Sequence, residues 1–178
     1  MTSGKVFCWG ANINGHDVRR LVAGKLKEGA LTPERSVGMR VPMSAFTPAE
    51  LEYLQTQRLG RLATVGPGGQ PHVVPVSFRY NAELDTIDIG GHGFAKRKKY
   101  RDVLGNPRVA FVVDDIASIQ PWKVRGIEIR GEAEVLATGG NALGPGFDPE
   151  MFRIKPRRIV SWGIEGDHFT QNARSVSP

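Results

Sequence analysis

Short apolar runs separated by glycine- and proline-rich breaks restrict the fold of this 178-residue chain more than any other feature. Breaks such as Gly66-Pro67-Gly68-Gly69 supply turn residues between the runs. Helical patterning is confined to residues 48–57 and 94–104. The pattern predicts a mainly β fold, a small six-stranded antiparallel barrel covered by two short helices. The predicted strands are residues 58–65, 71–80, 84–90, 108–116, 123–136 and 154–164.

The first helix has the clearest start signal in the chain. Thr47 can accept a hydrogen bond from the first helical turn, Pro48 suits the first helical position, and Glu50 can reach back to the backbone of Thr47. The second helix is predicted to end before Asn106-Pro107. Both helices are therefore short.

Positive charge is concentrated in the first 42 residues. The chain has 24 Lys and Arg against 18 Asp and Glu, a formal net charge of +6, and residues 1–42 hold seven basic and three acidic residues. The rest of the chain is nearly balanced, so nucleic-acid binding is not predicted. Residues 1–42 also lack sustained periodicity, and Met43 stands directly before the first helix signal. We interpret them as a disordered extension or a misassigned start, residues 43–166 as the functional domain and residues 167–178 as a C-terminal tail.

Composition also excludes several classes of protein. The only cysteine is Cys8, which allows neither an internal disulfide nor a cysteine-based metal site. No apolar stretch reaches the ~18 residues of a membrane span, and the N-terminus lacks the apolar segment of a secretion signal. We expect a cytoplasmic protein without a membrane partner or a bound metal.

A dense basic run follows a glycine-rich break. The break is Gly90-Gly91-His92-Gly93, and the run is Lys96-Arg97-Lys98-Lys99-Tyr100-Arg101. Glycines let a ligand approach the backbone, and a helix start with an Arg fork and a Lys charge suits a phosphate. The alternative is a solvated basic helix face, and the residues alone leave both open. His92 is interpreted first as a structural or surface histidine, and His72 as a strand-face residue that could also contact a ligand.

Several segments, in this order and spacing, resemble one known superfamily. Residues 43–166 resemble the pyridoxamine-phosphate-oxidase-like split-barrel proteins, and within them the branch that depends on the deazaflavin coenzyme F420, close to the subfamily of the oxytetracycline-biosynthesis reductase. The segments are Gly60-Arg61-Leu62-Ala63-Thr64-Val65, Gly69-Gln70-Pro71-His72-Val73-Val74-Pro75-Val76, Lys98-Lys99-Tyr100-Arg101, Asn106-Pro107-Arg108-Val109-Ala110, Arg125-Gly126-Ile127-Glu128-Ile129-Arg130-Gly131-Glu132-Ala133 and Arg157-Arg158-Ile159-Val160-Ser161-Trp162-Gly163.

The resemblance implies a six-stranded split β-barrel of the FMN-binding type that forms a homodimer, with two cofactor sites at the interface. It implies that Arg97 and Lys99, together with the neighbouring Lys98, hold the cofactor phosphate. It implies further cofactor-binding positions at Val74, Pro75 and Val76 along the ring, at His92 beside it, and at Arg125 and Trp162. Val74 stands where the vitamin B6 oxidases place an arginine, and their C-terminal Arg and His have no clear match, so B6 oxidation is not expected.

The implied function is reduction of an activated double bond, such as an enone, in a small hydrophobic molecule. The hydride comes from the reduced cofactor, so no catalytic side chain is required, and the proton comes from solvent or His92. Three alternatives remain open: an FMN-dependent oxidoreductase of the same fold, a non-catalytic flavin-, deazaflavin- or haem-binding protein, or a nucleic-acid-associated basic protein, whose affinity would fall steeply with salt.

Overall fold

The structure, a computed structural model, describes residues 44–166 and 170–177. Over these residues the chain forms eight β-strands and two α-helices. The elements are α1 (Pro48–Thr56), β1 (Leu59–Val65), β2 (Pro71–Ser77), β3 (Arg79–Asn81), β4 (Thr86–Ile89), α2 (Lys98–Gly105), β5 (Arg108–Ser118), β6 (Lys123–Leu136), β7 (Met151–Trp162) and β8 (Gln171–Ser175). No helix within this part of the chain is long and apolar enough to cross a membrane.

Helix α1 begins at the predicted cap. The Thr47 hydroxyl accepts a hydrogen bond from the backbone N–H of Glu50, and the Glu50 carboxylate accepts one from the backbone N–H of Thr47. Glu50 is fully buried, and Arg174 on β8 donates to its carboxylate. This pair joins the first helix to the last strand.

The strands form one antiparallel sheet that curls into a half-barrel. Their order is β2-β1-β5-β6-β7-β4-β3, and β8 pairs with β7 beside β4. A single residue, Phe78, separates β2 at one end of the sheet from β3 at the other, so the two ends must approach each other. The Phe78 ring packs edge-on against Phe111 in the core, with ring centroids 5.2 Å apart. The concave side is filled by side chains with no exposed area, including Leu62, Ile87, Phe111, Ile129 and Ile159.

A bulge bends the two longest paired strands. The register of β6 against β7 shifts between Arg130 and Gly131. A Cβ atom at Gly131 would lie 2.1 Å from the backbone oxygen of Lys155, a contact that no side chain can make. Glycine at this position therefore allows the backbones to approach where the sheet curls.

The predicted mainly β, antiparallel architecture with two short helices is confirmed, but the predicted strand count of six is wrong. Residues 71–80 form two strands, because β2 pairs with β1 whereas β3 pairs with β4. The segment interpreted as a C-terminal tail contains β8, which hydrogen-bonds to β7. The interpretation of residues 1–42 lies outside the described residues.

Candidate functional site

A cleft of about 580 Å³ lies between the outer edge of β2 and the first turn of α2. Among the described residues, β2 is a terminal strand of the sheet and pairs with β1 alone. Four consecutive residues of β2, from Val74 to Ser77, line the cleft, so the strand presents its edge and not just one face. The other lining residues are His72, Gly90, Gly91, His92, Arg97, Lys98, Lys99 and Phe147.

The end of β4 forms the floor of the cleft. A Cβ atom at Gly90 would lie 3.0 Å from the Phe147 ring and 3.1 Å from Leu143, so glycine lets the loop that contains these residues close against the strand. The backbone N–H of Asp148 donates to the Gly91 carbonyl at 2.9 Å, and the Asp148 carboxylate accepts from the Phe94 N–H at 2.7 Å. Tertiary contacts therefore place Phe147 at the cleft.

Arg97 lies at the start of α2 and faces the cleft. It is the N-cap residue, in an extended conformation, and its side chain does not cap the helix. Its Nε donates to the His92 carbonyl at 3.2 Å, which orients the guanidinium across the mouth of the glycine break. Arg97 and the first residues of α2 line the same cleft, and a helix start beside a guanidinium favours anions.

Lys99 brings a second positive charge to the same wall. Its Nζ atom lies 4.9 Å from the centroid of the Phe94 ring. Burial, and then the charge of Arg97, lower the pKa of Lys99 below its ordinary value. Within residues 44–166 and 170–177, neither Lys99 nor Arg97 forms an ion pair with a carboxylate. Two neighbouring cations without an acidic partner fit a dianionic or monoanionic phosphate group.

Lys98 lines the cleft, but its charge is already neutralised. Its Nζ atom lies 2.9 and 2.8 Å from the two carboxylate oxygens of Asp102, which also accepts a bond from the Thr64 hydroxyl at 2.9 Å. The hydrogen bond from Lys98 is the largest influence on the pKa of Asp102; this bond and the one from Thr64 lower that pKa despite burial. Of the three consecutive basic residues, the structure therefore leaves Arg97 and Lys99 for a ligand.

His92 is fixed by a hydrogen bond to the neighbouring loop. Its Nδ1 atom lies 2.7 Å from the Gly146 carbonyl, and its ring packs edge-on against Phe147, with centroids 5.1 Å apart. Because a carbonyl only accepts, Nδ1 carries the proton and the Nε2 atom of the neutral ring is an acceptor. His92 can therefore donate a proton to a substrate only when both ring nitrogens are protonated.

A second cleft, of about 850 Å³, adjoins the first. The two clefts share Ser77, His92 and Phe147 as a common wall. Its remaining lining is mostly apolar and aromatic, with two arginines: Leu54, Gln55, Gln57, Arg58, Phe78, Arg79, Tyr80, Ala82, Leu143, Gly144 and Pro145. The two clefts are therefore neighbours on the surface of the half-barrel.

Seven of the nine predicted site residues line the first cleft: Val74, Pro75, Val76, His92, Arg97, Lys98 and Lys99. Arg125 and Trp162 do not. Arg125 forms a two-bond ion pair with Asp115 and lies over the Tyr53 ring, and the Trp162 ring covers Gly126.

Ser77 and Phe147 are cleft residues that sequence reasoning did not select. His72, for which a strand-face role was favoured over ligand contact, also lines the cleft, and it shares a strand face with Val74 and Val76. No group of three His, Cys, Asp or Glu suited to a metal occurs in the described part of the chain.

Solved structures share the half-barrel fold. A conserved hypothetical protein from Mycobacterium tuberculosis, Rv2991, superposes with a TM-score of 0.54 at 23% identity, over 68% of this chain and 88% of that one. A heme binding protein from Mycobacterium smegmatis superposes with a TM-score of 0.54 at 14% identity, over 75% of this chain and 60% of that one. At these identities the likeness concerns the fold.

Sequence comparison is more specific. The profile of the pyridoxamine 5'-phosphate oxidase family matches residues 46–161, and the chain belongs to this family. It is 52% identical to a 5a,11a-dehydrotetracycline/5a,11a-dehydrooxytetracycline reductase from Streptomyces rimosus over 133 residues, which are 74% of this chain and 94% of the relative. The family and this relative support an oxidoreductase of the split-barrel type.

Proposed function

We propose that this protein is a reductase that uses the deazaflavin coenzyme F420 to reduce an activated carbon–carbon double bond in a small hydrophobic molecule. The observation that carries the proposal is the cleft between β2 and α2, where two cations without an acidic partner among the described residues face the edge of a strand. When bound, the reduced cofactor supplies the hydride. The protein binds, orients and shields the reacting groups.

Arg97 and Lys99 would hold the cofactor phosphate. The Arg97 guanidinium is oriented by the His92 carbonyl, and the half-buried Lys99 ammonium lies beside it. Burial, and then the charge of Arg97, lower the pKa of Lys99, and an anion between the two cations would offset both effects. Lys98 would contribute indirectly, because its bond to Asp102 fixes the first turn of α2.

The edge of β2 would bind the planar ring. Val74 and Val76 supply apolar contacts, and Pro75 has no N–H, so this edge presents few donors at its centre. The Nε2 atom of His92, an acceptor in the neutral ring, would accept a hydrogen bond from a ring N–H group. These features suit a flat, partly polar heterocycle.

The second cleft would hold the molecule that is reduced. The relative from Streptomyces rimosus carries the name of a reductase of 5a,11a-dehydrotetracycline and its oxytetracycline counterpart. We propose an acceptor of the same class, a rigid polycyclic compound with an oxidised double bond. Leu54, Phe78 and Tyr80 would contact its apolar faces, and Arg58 and Arg79 would contact ionised oxygens. The wall shared by the two clefts brings the acceptor beside the ring, as hydride transfer requires.

We further propose a homodimer. Arg125 and Trp162 lie away from the cleft of their own chain. In a homodimer with cofactor sites at the interface, these residues would approach the cleft of the second copy. Size-exclusion chromatography with light scattering would return twice the 19.5 kDa chain mass. A monomer that binds cofactor at full affinity would exclude this arrangement.

Two titrations test the cofactor. Purified protein is titrated with oxidised coenzyme F420 and, separately, with FMN, followed by fluorescence. Binding of F420 in the micromolar range with much weaker binding of FMN supports the proposal, and the reverse preference would make the protein a flavin-dependent oxidoreductase. Reduced F420 is then mixed with polycyclic enones. Oxidation of the cofactor only when protein and acceptor are both present identifies an enzyme, whereas binding without turnover of any acceptor would identify a cofactor-binding protein.

A further inference from the structure

His72 is a cleft residue to which the proposed function gives no role. It lies on β2, opposite Thr64 of β1, and lines the cleft together with Arg97 and Lys99. Its side chain is 27% exposed, yet its Nδ1 atom is fully buried and has no hydrogen-bond partner among the described residues. The exposed part of the ring is therefore the remainder, which carries Nε2.

The buried nitrogen faces a carboxylate. Nδ1 lies 3.6 Å from Oδ2 of Asp102, the same oxygen that Lys98 contacts at 2.8 Å. Asp102 is 5% exposed, and its pKa is lowered chiefly by the hydrogen bond from Lys98, so it is ionised at neutral pH. A lone pair on Nδ1 would repel this oxygen. The proton of the neutral ring therefore lies on Nδ1, and Nε2 presents a lone pair to the cleft.

Among the described residues around His72, the cationic side chains outnumber the single nearby carboxylate, Asp102. Lys98 already balances Asp102, Thr64 on β1 is neutral, and Arg97 and Lys99 add positive charge to the wall that His72 shares. A bound phosphate changes the balance because it brings at least one negative charge. Neutral His72 would then repel the phosphate, whereas doubly protonated His72 would donate a hydrogen bond from Nε2 to it.

We propose that His72 is a third phosphate-binding residue of the cleft, and that it takes up a proton when the phosphate binds, with Asp102 holding the opposite nitrogen. This inference rests on the proposed function only insofar as a phosphate-bearing cofactor enters the cleft. It assigns the recognition of the anion to Arg97, Lys99 and protonated His72, and it makes the affinity depend on pH.

Isothermal titration calorimetry with coenzyme F420 between pH 5.5 and 8.5 tests the proposal on the full-length protein, compared with His72→Gln. The signal is heat, so protonation of the chromophore does not distort it, and any titration of the ligand itself is common to both proteins. The wild type is expected to bind about ten- to a hundredfold more tightly than the variant at pH 5.5, the scale of a hydrogen bond from a charged group. The two affinities should converge at pH 8.5.

The variant His72→Lys and a measurement of proton uptake test the same proposal independently. His72→Lys carries a permanent charge beside Asp102, so it should retain tight binding at pH 8.5 and lose the difference between the pH extremes. Titrations repeated in two buffers of different ionisation enthalpy should show proton uptake by the wild type that is absent in both variants. Circular dichroism confirms that each variant is folded.

The outcomes separate this inference from the proposed function. Equal pH dependence in the wild type and His72→Gln would overturn the role of His72 while leaving the cofactor assignment intact. If the wild type binds neither F420 nor FMN at any pH, the proposed function fails and this inference fails with it. Loss of binding in His72→Gln at every pH, including 8.5, would show a packing role and would also overturn proton uptake.

Discussion

Substitution of two adjacent lysines should separate ligand binding from folding. Lys98 and Lys99 are consecutive residues in the first turn of α2, and both line the cleft. The Lys98 ammonium is held by Asp102 at 2.8 Å, whereas the Lys99 ammonium is near Arg97 and lies over the Phe94 ring. Methionine is the matched replacement, because it keeps the unbranched stem, and its sulfur contacts aromatic rings favourably.

We expect one variant to lose F420 affinity and the other to lose stability. Lys99→Met should weaken F420 binding by about 1.5–3 kcal/mol, the value of a hydrogen bond from a charged group, which is roughly ten- to a hundredfold. Its free energy of unfolding should stay constant or rise by less than about 1 kcal/mol, because removal of a half-buried charge near Arg97 relieves repulsion that solvent partly screens.

Lys98→Met should lower stability and leave F420 affinity nearly unchanged. It leaves the buried Asp102 carboxylate with the Thr64 hydroxyl at 2.9 Å and the more distant His72 Nδ1 at 3.6 Å, so the free energy of unfolding should fall by about 1–3 kcal/mol. F420 affinity should change by less than about threefold, since the Lys98 charge is already balanced in the native protein.

Urea unfolding and fluorescence titration of the same preparations measure both quantities. Equal losses of affinity in the two variants would refute the reasoning, because the basic run would then act as a general cationic surface. Unchanged affinity in Lys99→Met would remove Lys99 from the site.

Three further predictions concern the scaffold that positions the cleft. Arg174→Met should lower the free energy of unfolding, measured by heat or urea, by about 3–5 kcal/mol, because the fully buried Glu50 would lose its charged partner. A loss below about 1 kcal/mol would show that the Arg174–Glu50 pair does not hold β8 against α1. Gly131→Ala should destabilise the protein by at least about 1–3 kcal/mol, since its Cβ would overlap the Lys155 backbone, and an unchanged melting temperature would argue against the bulge. Asp102→Asn should make the free energy of unfolding depend less on pH in acid. The pKa of Asp102 is lower in the folded protein than in the unfolded chain, so its ionised form stabilises the fold at neutral pH, and this stabilisation is lost as the pH falls through the folded-state pKa. The free energies of unfolding of variant and wild type should therefore differ at pH 7 and converge in acid.

Local chemistry made much of the fold predictable. The capping box at Thr47 depends on residues three apart, so the start of α1 was visible in the sequence. Turn residues and alternation likewise located most strand boundaries to within a few residues. The exception, residues 71–80, shows the limit of such reasoning, because the break at Phe78 reflects a change of pairing partner from β1 to β4 and not a turn signal.

The candidate site was predictable only in part. The basic run and the glycine break predicted a phosphate site, and the family resemblance predicted that β2 lies along the cofactor ring; the structure brings these segments together in one cleft. Neither distinguished Lys98 from Lys99. That distinction depends on Asp102, which points to Lys98 one helical turn away and is buried against Thr64 of β1. Phe147 reaches the cleft through bonds between its loop and the end of β4, a contact over more than fifty residues that no local pattern encodes.

The sequence by itself determined the elements, their mainly β character and the presence of a cationic segment after the fourth strand, because propensity, capping and periodicity act within a few residues. The tertiary structure decided which cations remain without an acidic partner in the described part of the chain, which histidine is bonded to a carbonyl and which faces a carboxylate. The Lys98–Asp102 pair lies within one helical turn, but the burial of Asp102 against Thr64 and the bond from His92 to Gly146 join residues distant in the chain, which the fold brings within about 3 Å of each other.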